Sequence, residues 1–215
     1  MVGVQNFMKL GQYSNNMEQQ LALDDRAIRR VLLQKLAAHS PKAIIEELYV
    51  HRGNAIADVV AIHSEAHCYE IKGEGDNIQR IVTQGKYYDL VFPKVTLVTT
   101  FNHLEKALKL VPDHWGIMLA RRTENGLKIG YIRSAKRNRL FDKQLALLTL
   151  WRSELAEVAI PLTDKKTAKL SRASLTEIIA ENLSPDTLMK NIGEKLIARA
   201  AAKMDSRDSC MLCAC

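Results

Sequence analysis

No apolar run in the sequence approaches the roughly 18 residues that a membrane-spanning helix requires, and the opening Met1-Val2-Gly3-Val4 is too short for the apolar segment of a secretory leader. The expected location is therefore the cytoplasm, with no membrane partner. Cysteine is scarce too. Of four, Cys68 stands alone and Cys210, Cys213 and Cys215 fall within the last six residues. That is no disulfide framework. With no His or acid at ligand spacing inside it, the C-x-x-C-x-C tail reads as a frayed terminus with exposed thiols rather than a metal cage. Prenylation is excluded, because Leu212 occupies the fourth position from the end where a Cys is needed. Internal repeats and low-complexity tracts are absent.

What is present is the composition of an ordinary globular chain: 215 residues, 47% hydrophobic and 26% charged. That length accommodates one domain with a substantial core and an appendage, or two small domains. The net charge of +7 is unevenly placed, with 20 Lys/Arg against 14 Asp/Glu up to Arg139 and 11 against 10 thereafter. A basic surplus in the N-terminal portion suits a phosphate backbone, and serves solubility equally well.

Hydrophobic patterning organises the chain. Residues 1–23 are polar and aperiodic, a loosely attached lead-in. A helix is expected next, with Asp24 or Asp25 near its N-cap, Ile28, Val31, Leu32 and Leu36 as its apolar stripe, Arg29 and Arg30 facing away, and Ser40-Pro41 as its end. Three strand-like runs follow, Ala43 to Val50, Ala55 to Ile62 and His67 to Lys72, spaced as an antiparallel meander. Gly73-Glu74-Gly75 breaks the pattern. Asp76 then caps a helix running to about Phe92, where Pro93 stops it, and Val95 to Thr99 is strongly β-prone, so strand, helix and strand form a crossover. Residues 103–111 look like an amphipathic helix, and Trp115 to Ala120 with Leu127 to Ile132 a hairpin across an Asn125-Gly126 turn. Beyond the basic loop Lys136 to Arg139 the patterns over 140–159, 171–182 and 184–203 are helical, either a subdomain or helices laid on the sheet. The expected division is lead-in 1–23, α/β core 24–139, helical region 140–204 and Cys-containing tail 205–215.

The segment from Asp58 to Lys72 concentrates charge inside apolar strands, where an unpaired charge is costly. Alternation along strands places Ile56, Asp58, Val60 and Ile62 on one face and Cys68, Glu70 and Lys72 on one face. Paired as a hairpin, the two strands bring Asp58 close to Glu70 and Lys72, and Glu47 of the first strand can add a carboxylate. Acids converging with a lysine suit a hard cation of the Mg²⁺ type and phosphodiester hydrolysis: Asp58 and Glu70 hold the metal, while Lys72 positions a water or stabilises developing charge. An isolated Glu-x-Lys is usually a solvated pair; the apolar surroundings and the acid on the preceding strand argue otherwise. Arg80, Gln84 and Tyr88 at i, i+4 and i+8 share a helix face, which suits phosphate contact or simple solvation. His51, His63 and His67 lack zinc spacing. Arg121, Arg122 and Arg133 with Lys136, Arg137 and Arg139 are candidates for a backbone-tracking patch.

On Glu47-Leu48, Ala57-Asp58-Val59, Glu70-Ile71-Lys72, Asp76 with Arg80, Gln84 with Tyr88, and Val95 to Val98, residues 24–100 resemble the PD-(D/E)XK nuclease superfamily, and more narrowly an uncharacterised bacterial branch of it. Leu150-Trp151 in the helical tail is similar to that branch as well. Ala57 stands where the superfamily name has proline. The resemblance implies an α/β, restriction-endonuclease-like αβββαβ core with a mixed central sheet and a C-terminal helical region. It implies an Mg²⁺-dependent nuclease (Mn²⁺ substituting) acting on DNA, with Asp58, Glu70, Lys72 and Gln84 catalytic and Glu47, preferred over Glu46, assisting Asp58 and Glu70 at the metal. Arg80, Tyr88, Lys136, Arg137 and Arg139 are the nucleic-acid contacts expected, and a homodimer or a partner protein is compatible. The other reading is a non-catalytic nucleic-acid- or partner-binding protein on the same fold, in a defence or repair assembly.

Overall fold

The computed structural model describes residues 22–138 and 140–212, the side chains of 204–212 excepted. The lead-in up to residue 21, Arg139, Cys213 and Cys215, and the Cys210 thiol, therefore lie outside the described residues. Helix α1 (Asp25–Ala37) starts where Asp24 Oδ1 accepts the Ala27 N–H at 2.8 Å, and it buries Ile28, Leu32 and Leu36 on one stripe. Strands β1 (Ala43–Val50), β2 (Ala55–Ile62) and β3 (Ala66–Lys72) form the expected antiparallel meander. Helix α2 (Arg80–Val91) returns the chain to β4 (Lys94–Thr100), parallel to β3. A second crossover, α3 (Phe101–Leu110), leads to β5 (Gly116–Thr123), parallel to β4, and β6 (Gly126–Arg133) closes the sheet antiparallel. The fold is α/β, with six strands in one mixed sheet in the order of the chain.

Each sheet face carries its own core. On one, α1 covers Val59, Ala61, Tyr69, Ile71, Val98 and Met118. On the other, α2, α3 and the C-terminal helices α4 (Lys143–Leu147), α5 (Arg152–Ala159), α6 (Arg172–Asn182) and α7 (Pro185–Leu212) cover Val60, Cys68, Val95 and Leu97. Leu147, Leu155, Ile179, Leu188 and Leu196 belong to the same core as those strands, so the helical region is a layer on the sheet and shares its stability. Burial of each such side chain is worth about 1.5–3 kcal/mol. Among the described residues no helix is long and apolar enough to cross a membrane.

Two expectations shift. Helix α2 begins at Arg80, four residues after Asp76, because the Asp76 carboxylate accepts the Gly73 N–H at 2.7 Å and so closes the turn after β3. That turn is crowded: a Cβ on Gly73 would lie 2.6 Å from the Leu23 carbonyl oxygen, and the Glu74 N–H donates to the same oxygen. The single helix expected over 140–159 is two, α4 and α5, separated at Leu148 to Trp151.

Candidate functional site

The strict alternation expected along β2 breaks at Asp58. Ala55 and Ala57 face the helix-rich side, Val59 and Ala61 face α1, and Val60 and Ile62 face the helix-rich side again. Asp58 therefore does not share a face with Val60 and Ile62; it sits at the slip. Two features coincide there. On the β1 side Glu47, which stands opposite Asp58 between the Glu46↔Val59 and Leu48↔Ala57 partners, has a left-handed φ of 56°. On the β3 side the ladder ends at Val59↔Tyr69. Beyond it the Asp58 carboxylate spans the gap, Oδ2 accepting the Ile71 N–H at 2.7 Å.

Arg29 reaches the same carboxylate from α1. Its Nη2 lies 3.0 Å from Asp58 Oδ1 and its Nη1 donates to the Asp58 carbonyl at 2.9 Å, while its Nε and Nη2 also hold Asp25. The expectation that Arg29 faces away from the core side fails: its side chain is only 16% exposed. The sequence signal was available in the Asp25–Arg29 i, i+4 spacing beside the buried Ile28.

Glu70 and Lys72 emerge from β3 on the helix-rich face, as alternation requires. Glu70 is 1% exposed; its Oε1 takes the Lys72 ammonium at 2.5 Å and its Oε2 lies 2.7 Å from the Tyr88 hydroxyl. Lys72 Nζ also approaches the Ile71 carbonyl at 3.3 Å, and the Lys72 carbonyl accepts the Thr99 hydroxyl, which fixes the strand end to β4. Burial, and then the negative charge of Asp58, push Glu70 up to about 7, against the opposing pull of Lys72 and Tyr88. Burial likewise raises Asp58 above its ordinary value, with the Ile71 N–H and Arg29 working the other way. The charge of Asp58 thus reaches Glu70 across the strand gap.

The Tyr88 hydroxyl is also 2.7 Å from the Ile56 carbonyl. A hydroxyl has one proton to donate, so both contacts are satisfied together when Glu70 is protonated and donates to Tyr88. This corrects the expected role of Tyr88: it is fully buried and supports Glu70, and no nucleic acid reaches it. The spacing of Arg80, Gln84 and Tyr88 describes a stripe that descends from solvent into the core. Arg80 is exposed, and Gln84, one turn nearer the Lys72 end than Tyr88, is half-buried, its Oε1 without a donor among the described residues.

Three further assignments are corrected. Glu47 does not join Asp58 and Glu70: it is exposed at the slip in the edge strand, and among the described residues no three His, Cys, Asp or Glu side chains gather as a metal cage. Lys136 and Arg137 lie at the wrong end of the sheet. The Lys136 N–H donates to the His114 carbonyl and the Asn138 N–H to the Pro93 carbonyl, at the N-terminal ends of β5 and β4, whereas Lys72 is at the C-terminal end of the parallel β3. Seven residues of β4 separate the ends, about 20 Å of strand. Arg137 is moreover ion-paired with Asp186 and lies 3.8 Å from Glu65. The expected basic patch is accordingly split, Arg121 and Arg122 at the Lys72 end of β5 and Arg133 at the other, bonded to the Trp115 carbonyl.

The acceptors about the Lys72 end are oxygens, the carboxylates of Asp58 and Glu70 and the Ile71 carbonyl, and the charge of Asp58 raises the proton affinity of Glu70. Oxygen donors are the type that a hard divalent cation takes, although Glu70 already has the Lys72 ammonium as its positive partner.

Comparison with known proteins places the whole assembly in one family. Residues 18–207, nearly the full described length, match the family model of bacteriophage P4 protein cII. The chain belongs to the bacteriophage P4 protein cII family. The matched region includes Asp58, Glu70, Lys72 and the helical layer alike, so sheet and helices form one family unit. No curated protein matches the chain. A solved structure, an SPO1766 protein of unknown function from Silicibacter pomeroyi, is similar over 54% of this chain and 73% of that one, at 19% identity and a TM-score of 0.41; a likeness of that size carries no argument.

Proposed function

We propose that the chain is a metal-dependent nuclease with a restriction-endonuclease-like αβββαβ core, hydrolysing phosphodiester bonds of DNA. The observation that carries this reading is the buried Glu70–Lys72 ion pair, 2.5 Å long, beside the strand gap that Asp58 spans, with the charge of Asp58 helping to push Glu70 up to about 7. The order α1, β1, β2, β3, α2, β4 supports the finer fold assignment. Asp58 and Glu70, with the Ile71 carbonyl beside them, would hold Mg²⁺ or Mn²⁺. When bound, that ion supplies charge to the phosphoryl oxygens and acidifies a bound water.

The protein's own groups supply the rest. Lys72 Nζ, steered by Glu70 Oε1 and the Ile71 carbonyl, orients the attacking water and offers positive charge where the phosphoryl oxygens gain negative charge. Arg29 fixes the Asp58 carboxylate, and Tyr88 fixes that of Glu70. Gln84, whose Oε1 has no donor, accepts a hydrogen bond from the attacking water. The test is a panel of labelled single- and double-stranded DNA and RNA with Mg²⁺, Mn²⁺ or EDTA. Cation-dependent shortening of a substrate supports the reading, and intact substrates throughout, with folded protein, end it. A second reading, a non-catalytic binding protein, is favoured by the absence of a third acidic ligand among the described residues; it predicts binding without cleavage in the same panel.

A further inference from the structure

A groove of about 1380 Å³ runs between the free edge of β1 and the helical layer, from Glu46 and Glu47 to Arg172 on α6 and Arg199 on α7. Its walls present two exposed aromatic rings, Tyr49 at 65% and Trp151 at 59%. Arg199 lies over the Trp151 ring at 4.3 Å and also bonds Glu154, which in turn accepts the Trp151 N–H, so the ring is held in place from both sides of its backbone and plane.

The charge arrangement is unusual. Arg172 Nη2 donates to the Leu148 and Leu150 carbonyls, yet its buried Nε has no acceptor among the described residues. Burial, with the neighbouring positive charges of Arg52 and Arg199, disfavours its charged form. Of the three guanidiniums Arg199 is neutralised by Glu154, while Arg52 makes no ion pair with any described residue. Like charges crowded in a concavity with a donor unmet are relieved by a bound anion.

Geometry limits the occupant. The volume exceeds the ~300–1,000 Å³ of small-molecule sites, which favours a segment of polymer. The edge of β1 is interrupted at Glu47 and terminated by His51 and Arg52, with φ of 56°, 48° and 61°. The interruption splits the extended edge into two short pieces, Ala43 to Glu46 and Leu48 to Val50, which disfavours an added peptide strand running along it. A chain carrying regularly spaced anions and flat rings matches both the guanidiniums and the aromatics.

We propose that this groove binds a single strand of nucleic acid, its phosphates on Arg52 and Arg172 and a base on the exposed Trp151 ring; this does not rest on the nuclease reading. Binding is measured with EDTA present, by anisotropy of a labelled 12-nucleotide single strand and by quenching of tryptophan fluorescence, Trp115 being fully buried. Arg52→Asn removes the charge with a residue that tolerates a left-handed φ, and should weaken binding roughly tenfold and lower the salt slope by about 1. Trp151→Phe should abolish the quench while keeping most of the affinity, and Trp151→Ala should lose about fivefold or more, within the range for one stacked base. No binding by the wild type, affinity unchanged in both Arg52→Asn and Trp151→Ala, or equal quenching by inorganic polyphosphate overturns the proposal. Asp58→Asn separates the two readings. Groove-dependent binding without cleavage by the wild type keeps the groove and ends the nuclease; cleavage with groove variants unaffected does the reverse.

Discussion

The Asp58 carboxylate accepts the Ile71 N–H at 2.7 Å, where β2 and β3 have ceased to pair. A side chain thus substitutes for main chain where the ladder ends, and the same carboxylate is held by Arg29 from α1.

Asp58→Ala strips a buried N–H and a guanidinium of their acceptor, and each unmet partner costs roughly 1–3 kcal/mol. Chemical denaturation should show a loss of about 2–4 kcal/mol, within the range of such buried polar deletions. Asp58→Asn retains an oxygen for Ile71 and should lose less than half as much.

Glu70, raised from 4.5 to about 7, binds its proton more tightly folded than unfolded. The linkage sign follows: its contribution to stability is full below the unfolded value and is lost as pH rises towards 7. In EDTA, Glu70→Gln should melt higher than the wild type at pH 8, by an amount on the order of 1–3 kcal/mol, with the gap closing near pH 4.5. A wild type that melts higher than Glu70→Gln at pH 8 contradicts this.

On the proposed metal site the same proton would compete with a cation. Calorimetric titration with Mn²⁺ should give tighter binding at pH 8 than at pH 6, with about one proton released per ion at the lower pH. Equal affinity at the two values, with no proton release, removes Glu70 from the ligand set.

Arg137 is at the far end of the sheet and already paired with Asp186. Arg137→Ala should leave both strand affinity and any cleavage within twofold of the wild type, because an exposed pair of this kind contributes about 0–1 kcal/mol. A tenfold loss of affinity would return the basic loop to the nucleic-acid surface.

Much of this was legible in the sequence. The stripe Ile28, Leu32, Leu36, the meander, both flanks of the crossover, and the placement of Glu70 with Lys72 follow from periodicities of 3.6 and 2. The misses have a common physical cause. The slip at Asp58 depends on a left-handed residue, Glu47, that no propensity marks, and one slipped residue reverses a parity argument. Helical spacing puts Tyr88 on the face it occupies, yet its depth is set by Glu70 and Ile56, which only tertiary packing brings near. The ends of the sheet to which Lys136 and Lys72 belong are fixed by strand direction, and a loop's charge says nothing of that. The groove is assembled from β1, α6 and α7, far apart in the chain.

The central claim, that Asp58, Glu70 and Lys72 form a hydrolytic centre, is tested most directly by cation-dependent cleavage of the best substrate by Lys72→Met, compared with wild type at matched folded fraction. Loss of an ammonium that acts only in the transition state predicts a fall in rate of about 10²–10³-fold or more, with strand affinity in EDTA within about threefold of the wild type. A Lys72→Met protein that cleaves at the wild-type rate would contradict it.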